Sequence, residues 1–260
     1  MKKATLITGA CINTGVAIVE KFASENYNVI FTGRNKEKVL QAEAQYKEKF
    51  PNVEIIGYTI DSLIDERTID EKSAKEMFDF IDSKGIFVET LVLNAADQGL
   101  GQKIFENPLT DFMKVINSNL VWNYCLSELA AIRMKKMGGG NIVFINSNTA
   151  YRAIPNRISY VASKGGVLGL MRALALDLGK YNIRVNAVLP GMIKTDRWEK
   201  MPEFYAKIPS RYTPIGDVAV ASDVADAVYY FAAHARNTTG AELVVDGGNT
   251  IQLYPIIPND

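Results

Sequence analysis

IVFINSNTAYRAIPNRISYVASK, residues 142–164, decides how the rest of the chain is read. It opens on Ile142-Val143-Phe144-Ile145, an apolar, β-branched run of the length expected for a parallel strand buried on both faces. The run stops at Asn146-Ser147. After a loop carrying Pro155, Ser159-Tyr160-Val161-Ala162-Ser163-Lys164 enters an apolar pattern at helical spacing through Val167, Leu168, Leu170, Met171, Leu174 and Leu178. Tyr160 and Lys164 are then i and i+4, which sets a phenol and an ammonium on one helix face, one turn apart. In an open α/β sheet the chemistry gathers beyond the carboxyl ends of the strands, and Ser147 stands at such an end. A free phenol titrates near pH ~10, and a cation a few ångströms away lowers that by roughly one to three units. The spacing therefore predicts a tyrosine able to give and take a proton near neutrality.

Working outward, the same strand-turn-helix grammar repeats along the chain. Ala4 to Thr8 is an apolar strand, Gly9 to Gly15 a turn, and Val16, Val19, Phe22 and Ala23 the inner face of a helix. Strand, glycine-bearing turn and helix begin a dinucleotide-binding unit, with helix-start amides facing a pyrophosphate. The spacing departs from G-x-G-x-x-G, so the turn alone is a weak signal. Tyr27 to Thr32 forms a second strand that ends in Gly33-Arg34-Asn35-Lys36. NAD sites set a carboxylate here for the ribose hydroxyl, and NADP sites an arginine for the 2′-phosphate. Arg34 makes NADP(H) the preferred cofactor and leaves NAD(H) second.

Val53 to Ile60 is expected as a third strand ending in Asp61-Ser62, and Asp65 to Lys84 as an amphipathic surface helix. Thr90 to Leu93 is expected as a fourth strand running into the small-residue turn Asn94-Ala95-Ala96. Phe112 to Met137 reads as one long helix containing Asn117, Asn119 and Asn123. A buried helical asparagine needs a partner, so Asn119 either bonds backbone or serves a site. Ile183 to Leu189 is a strand ending at Pro190-Gly191, Ser222 to Ala233 a helix, and Glu242 to Val245 the last strand. Residues 192–215, polar and aromatic with Trp198, Phe204, Tyr205 and Tyr212, are expected to form a substrate lid. Alternating strands and helices without linker or repeat imply an α/β chain: one doubly wound (Rossmann) domain over 1–260, with a mostly parallel, seven-stranded sheet.

Composition excludes several functions. Of 260 residues 48% are hydrophobic, enough for a large core, and 29 basic side chains balance 29 acidic ones. Neither nucleic acid nor membrane is expected as a partner. Cys11 and Cys125 stand far apart and His234 is the single histidine, so no metal site is expected and a reducing cytoplasm is the expected location. Met1-Lys2-Lys3 and the uncharged run from Ala4 to Val19 imitate a secretory signal, but Thr8, Gly9, Asn13, Thr14 and Gly15 interrupt it and no small-x-small cleavage site precedes Glu20.

Taken together, these residues resemble the short-chain dehydrogenase/reductase family over nearly the whole chain, with likeness to its 3-oxoacyl-carrier-protein reductases. The family's Thr-Gly-x-x-x-Gly-x-Gly loop appears as Thr8 to Gly15, with Asn13 in place of the middle glycine; asparagine tolerates the left-handed backbone that position needs. Its Asn-Asn-Ala-Gly turn appears as Leu93-Asn94-Ala95-Ala96. The resemblance implies a tetrad of Asn119, Ser147, Tyr160 and Lys164, and cofactor contacts from Gly9, Asn13, Thr14, Gly15, Asp61, Ser62, Asn94, Ala95, Pro190, Gly191, Ile193 and Thr195, beside Arg34. Asp246-Gly247-Gly248 matches the family's closing turn. Hydride transfer between nicotinamide and a carbonyl or secondary alcohol follows, with Tyr160 as acid/base, Ser147 on the substrate oxygen, Lys164 on the ribose and lowering the phenol's pKa, and Asn119 holding a water. The substrate is a small carbonyl or alcohol, either a 3-oxoacyl thioester or a steroid, sugar or other ketone, with Arg152 and Arg157 as candidate contacts for an anionic one. Resemblance further implies a homotetramer, or a homodimer, with the tail after Gly248 covering a neighbouring subunit. The competing reading is an NADP-binding sensor without turnover, against which the complete tetrad speaks.

Overall fold

A computed structural model describes residues 1–195 and 212–253. Seven strands form one sheet: β1 (Lys2–Ile7), β2 (Asn28–Gly33), β3 (Ile55–Thr59), β6 (Ile86–Leu93), β7 (Gly140–Ile145), β8 (Ile183–Pro190) and β9 (Glu242–Val245). Their order is β3-β2-β1-β6-β7-β8-β9, and every neighbouring pair is parallel. Each connection is helical: α1 (Asn13–Ser24), α2 (Lys36–Lys49), α3 (Glu71–Ser83), α4 (Leu109–Ile116), α5 (Trp122–Lys136), α6 (Ile158–Leu178) and α7 (Ala221–Tyr229). Among the described residues no helix is long and apolar enough to cross a membrane.

Period-two alternation splits the inner strands between two cores. Leu6, Leu91, Ile142, Phe144 and Val185 pack with Trp122, Leu126, Met134, Val167 and Met171 from α5 and α6. Ile7, Val92, Val143 and Val188 pack with Ile18, Val19, Phe22 and Val228 from α1 and α7. Each such side chain, fully buried, contributes roughly 1.5–3 kcal/mol. Both faces are thus covered, which is the condition for an all-parallel sheet.

Four expectations need correction. The segment from Asp65 is not helical at its start: Leu63–Asp65 (β4) and Thr68–Ile69 (β5) form a small antiparallel hairpin, and α3 begins at Glu71, its first turn capped by Asp70, whose Oδ1 accepts from the Ser73 amide at 3.0 Å. β6 begins four residues earlier than the apolar run, at Ile86. The long helix from Phe112 is α4 and α5 joined by a π-helical turn, Asn117–Val121, which inserts a residue into the helical ladder. A second π turn, Tyr230–His234, ends α7 short of Ala233. Of the expected lid, Trp198, Phe204 and Tyr205 lie outside the described residues, as does the tail from residue 254.

Candidate active site

Strand order reverses direction between β1 and β6, the switch point where open α/β sheets hold their ligands. The two strand ends are bonded together there. Thr8 Oγ1 accepts from the amides of Asn94 (2.9 Å) and Ala95 (3.0 Å), and Asn94 Nδ2 donates to the carbonyls of Thr8 and Gly9, both at 3.0 Å. Gly9 has φ +66°, and a Cβ on Gly15 would lie 2.5 Å from the Gly9 oxygen, so neither position accepts a side chain. Asn13 takes φ +50°, as the substitution for glycine requires. α1 starts immediately, its N-cap Ile12 giving no side-chain bond and its first turn carrying no acid. Uncapped amides at a helix start, a cradle that a side chain would fill and the absence of a repelling carboxylate suit a pyrophosphate.

The remaining strand ends supply the rest. Exposed Arg34 follows β2, and Asn35 caps α2 by accepting from the Lys38 amide at 2.9 Å. Asp61 and Ser62 follow β3, Asp61 accepting from the Ser62 amide at 2.7 Å. Ser62 also bonds the π turn through Ser118, at 3.4 Å between hydroxyls. Beyond β8, the Gly191 amide donates to the Val245 carbonyl (3.0 Å), and Ile193 bridges to Ala219. Thr195 faces Cys11, Ile12 and Asn13 across a cleft of about 430 Å³. Asp246, in the closing turn, accepts from the amides of Gly248 (2.9 Å) and Thr250 (2.7 Å); burial pushes its carboxyl up, but the bonds from Thr250, Gly248 and Asn148 outweigh that and hold it below the usual range.

Ser147, buried, lies two residues beyond the end of β7 and caps a 3₁₀ turn, its Oγ accepting from the Thr149 amide at 3.2 Å. Its hydroxyl stands beside that of Tyr160, on the first turn of α6, and acts to lower the phenol's pKa. Lys164 is 3% exposed; its Nζ donates to the Ile145 carbonyl at 2.8 Å and lies 5.6 Å from the centre of the Tyr160 ring. The spacing argument thus holds for the geometry of Ser147, Tyr160 and Lys164. It does not hold for the acidity. Burial pushes the phenol above its ordinary value, against the smaller opposing effects of Ser147 and Arg157. Burial also pulls the Lys164 amine down to about 8, so it remains an ammonium at neutral pH and loses its charge only a little above it.

Asn119 sits in the π turn, 1% exposed. Its Oδ1 accepts from the Asp97 amide (2.7 Å), and its Nδ2 donates to the Asp97 carbonyl (2.8 Å) and to Ser163 Oγ (3.0 Å). Ser163 in turn donates to the Tyr160 carbonyl at 2.8 Å. The carboxamide ties the turn after β6 to the Tyr160 helix. Sequence reasoning missed Asp97 and Ser163, since backbone groups and small hydroxyls leave no pattern. Arg157 Nη1 donates to the Gln98 carbonyl at 2.7 Å, while Arg152 is exposed. His234 lies away in the α7 π turn, its ring 5.5 Å from that of Tyr229.

Residues 9–250 match the family model described as "Enoyl-(Acyl carrier protein) reductase". The chain belongs to the short-chain dehydrogenase/reductase family. It is 33% identical over 248 residues to the 3alpha-hydroxysteroid dehydrogenase of Mediterraneibacter gnavus (94% of this chain, 96% of that protein). It is also 33% identical over 254 residues to the 7alpha-hydroxysteroid dehydrogenase of Escherichia coli K12 (96% and 95%). An NADP-bound structure of ElxO superposes with a TM-score of 0.84 at 30% identity, covering 97% of this chain and all of that one. This short-chain dehydrogenase/reductase is an oxidoreductase of the class that acts on alcohols and ketones.

Proposed function

We propose that the protein transfers hydride between NADP(H) and a ketone or secondary alcohol, with Tyr160 as the acid/base. The observation that carries this is the hydroxyl pair of Ser147 and Tyr160 at a strand end, with the buried amine of Lys164 one helical turn on. The dinucleotide would be held by the α1 amides, Asn13, Thr14, Asn94 and Ala95, by Asp61 and Ser62 on the adenosine side, and by the loop from Pro190 through Ile193 to Thr195; it supplies the hydride. Arg34 is proposed to bind the 2′-phosphate, supported by its exposure at the end of β2 and by the absence of a carboxylate there.

In reduction, the Tyr160 hydroxyl gives its proton to the carbonyl oxygen as carbon gains hydride. Ser147 donates a hydrogen bond to the same oxygen and stabilises the charge forming on it. A half-buried phenol with a raised pKa is in the right form for this step, being protonated at neutral pH. Lys164 holds a proton at Nζ beside the phenol, and Asn119 acts as a positioning residue through Asp97 and Ser163. We read the substrate as an uncharged cyclic or open-chain ketone/alcohol: the named relatives act on hydroxysteroids, and Arg157 spends a donor on Gln98. The working unit is read as a homotetramer in the cytoplasm, which exposed apolar side chains on α5 and α6, Tyr124, Ile132 and Leu176, support.

NADPH oxidation with a panel of steroid, sugar, simple and thioester ketones tests the reading. Turnover is expected with at least one uncharged ketone, and Tyr160→Phe is expected to lower kcat by about 10³ or more while NADPH still binds. Near-normal turnover in that variant would remove Tyr160 from the role.

A further inference from the structure

The turn between β1 and α1 gives its carbonyls to side chains from elsewhere in the fold. Asn94 takes those of Thr8 and Gly9. The third, on Ala10, accepts at 2.8 Å from the hydroxyl of Tyr46, 36 residues on, in the last turn of α2. Tyr46 is neither a member of the tetrad nor one of the expected cofactor contacts. It is buried, and its ring meets that of Phe31 on β2 edge-on, with 5.2 Å between centres. Burial pushes its pKa above the ordinary phenol value, so the hydroxyl stays a donor at every pH near neutrality.

Ala10 is clamped from two sides. Its amide donates to the Thr32 carbonyl of β2 at 2.9 Å, while its carbonyl takes the phenol. It also touches the start of α1: a Cβ added to Gly15 would lie 2.6 Å from the Ala10 Cα, so the helix start cannot shift independently of this residue. Ala10 is fully buried, and solvent therefore offers its oxygen no substitute for the phenol. A trans peptide sets its C=O and N–H on opposite sides, so holding the Ala10 oxygen toward α2 turns the Cys11 N–H away from α2. Cys11 itself lines the cleft with Ile12, Asn13 and Thr195. A turn that receives an anion must present amides and withhold oxygens.

We propose that Tyr46 is a positioning residue for the dinucleotide: through its bond to Ala10 it fixes the turn between β1 and α1 in the form that receives the pyrophosphate. Resting on the cofactor reading above, this role puts a determinant of affinity at the opposite end of α2 from Arg34, on a side chain that does not touch the cofactor.

Tyr46→Phe removes one hydroxyl and keeps the ring with its contact to Phe31. NADPH and NADH are each titrated into full-length wild type and variant, read by the fluorescence of the reduced nicotinamide. Steady-state constants are measured alongside with the ketone that wild type reduces fastest. Affinity is expected to fall about fivefold for both dinucleotides, the scale of one hydrogen bond, because both carry the pyrophosphate. At saturating NADPH kcat is expected to stay within about twofold of wild type, so that the loss sits in KM. Unchanged affinity for both dinucleotides, even with a lower unfolding midpoint, overturns the proposal and makes the phenol a packing residue. A loss confined to NADPH also overturns it, since the effect would then run along α2 to Arg34 and the 2′-phosphate. So does a fall in kcat at unchanged KM. Wild type that binds neither dinucleotide would instead fell the cofactor reading itself, and this role with it.

Discussion

Burial acts on Tyr160 and Lys164 in opposite senses with one result, driving both toward neutrality. For the phenol this favours the proton donor. For the amine it makes stability depend on pH with a definite sign. Unfolded, Lys164 has the ordinary lysine pKa of 10.5; in the folded chain burial pulls it down to about 8. Below pH 8 it is an ammonium in both states, and the folded chain bears the full cost of a buried charge. Between the two values the unfolded chain binds the extra proton, so unfolding free energy rises with pH. From pH 7 to 9.5 wild type should gain about 2 kcal/mol relative to Lys164→Met, measured by urea unfolding at each pH. A constant difference between the two proteins would contradict the shifted amine. In the same way, NADPH-dependent reduction should show an ionisation near pH 8 that Lys164→Met lacks. The i, i+4 spacing made this pair visible in the sequence, whereas the reversal of the phenol's expected acidity was not, because burial depends on what α4, the π turn and β7 pack around the two side chains.

At the scale of the element, the start of α6 is held from outside. Its N-cap, Arg157, offers no side-chain bond. Gln102 supplies one from the loop after β6: buried, it accepts from the Ser159 amide at 3.1 Å and from the Ser159 hydroxyl, and donates to the Asp111 carbonyl at 3.3 Å. Tyr160 is the next residue, so the capped turn is the one that aims the phenol. Gln102→Leu is expected to cost about 1–2 kcal/mol and to lower kcat more than it raises the KM for NADPH. Hydrogen exchange at the amides of Ser159 and Tyr160 should quicken in the variant; protection equal to wild type would rule out the cap. Such through-space caps cannot be read from a sequence, since 57 residues separate the partners. Strands and helices with sustained periodicity were legible to within a few residues, Glu242–Val245 to the residue. The hairpin at Leu63–Ile69 was not, because strands of three and two residues are too short to show a period. Nor was the π turn at Asn117–Val121, which adds a residue without breaking the apolar face. The first four residues of β6 were hidden by Glu89, the residue a bulge in the β1–β6 ladder sets aside.

Across the whole molecule, the site has no local existence. Thr8, Arg34, Asp61, Asn94, Ser147 and Pro190 come together only because six parallel strands end on the same side of one sheet. A dinucleotide spanning those ends binds the folded chain and not the unfolded one, so binding must appear as stability, by about 2.7 kcal/mol at a ligand concentration one hundred times Kd. For a chain of this size that corresponds to a rise of about 5–10 °C in the unfolding midpoint. At equal concentrations NADPH should raise the midpoint by several degrees more than NADH, since only the former carries the 2′-phosphate for Arg34. Arg34→Ala, exposed and without a packing role, should leave the midpoint of the free protein unchanged and bring the NADPH shift down to that of NADH, a loss of about 1.5–3 kcal/mol in affinity. Equal shifts for the two cofactors in wild type would refute the NADP assignment while leaving the dinucleotide fold intact, and no shift with either would remove the cofactor from the switch point altogether.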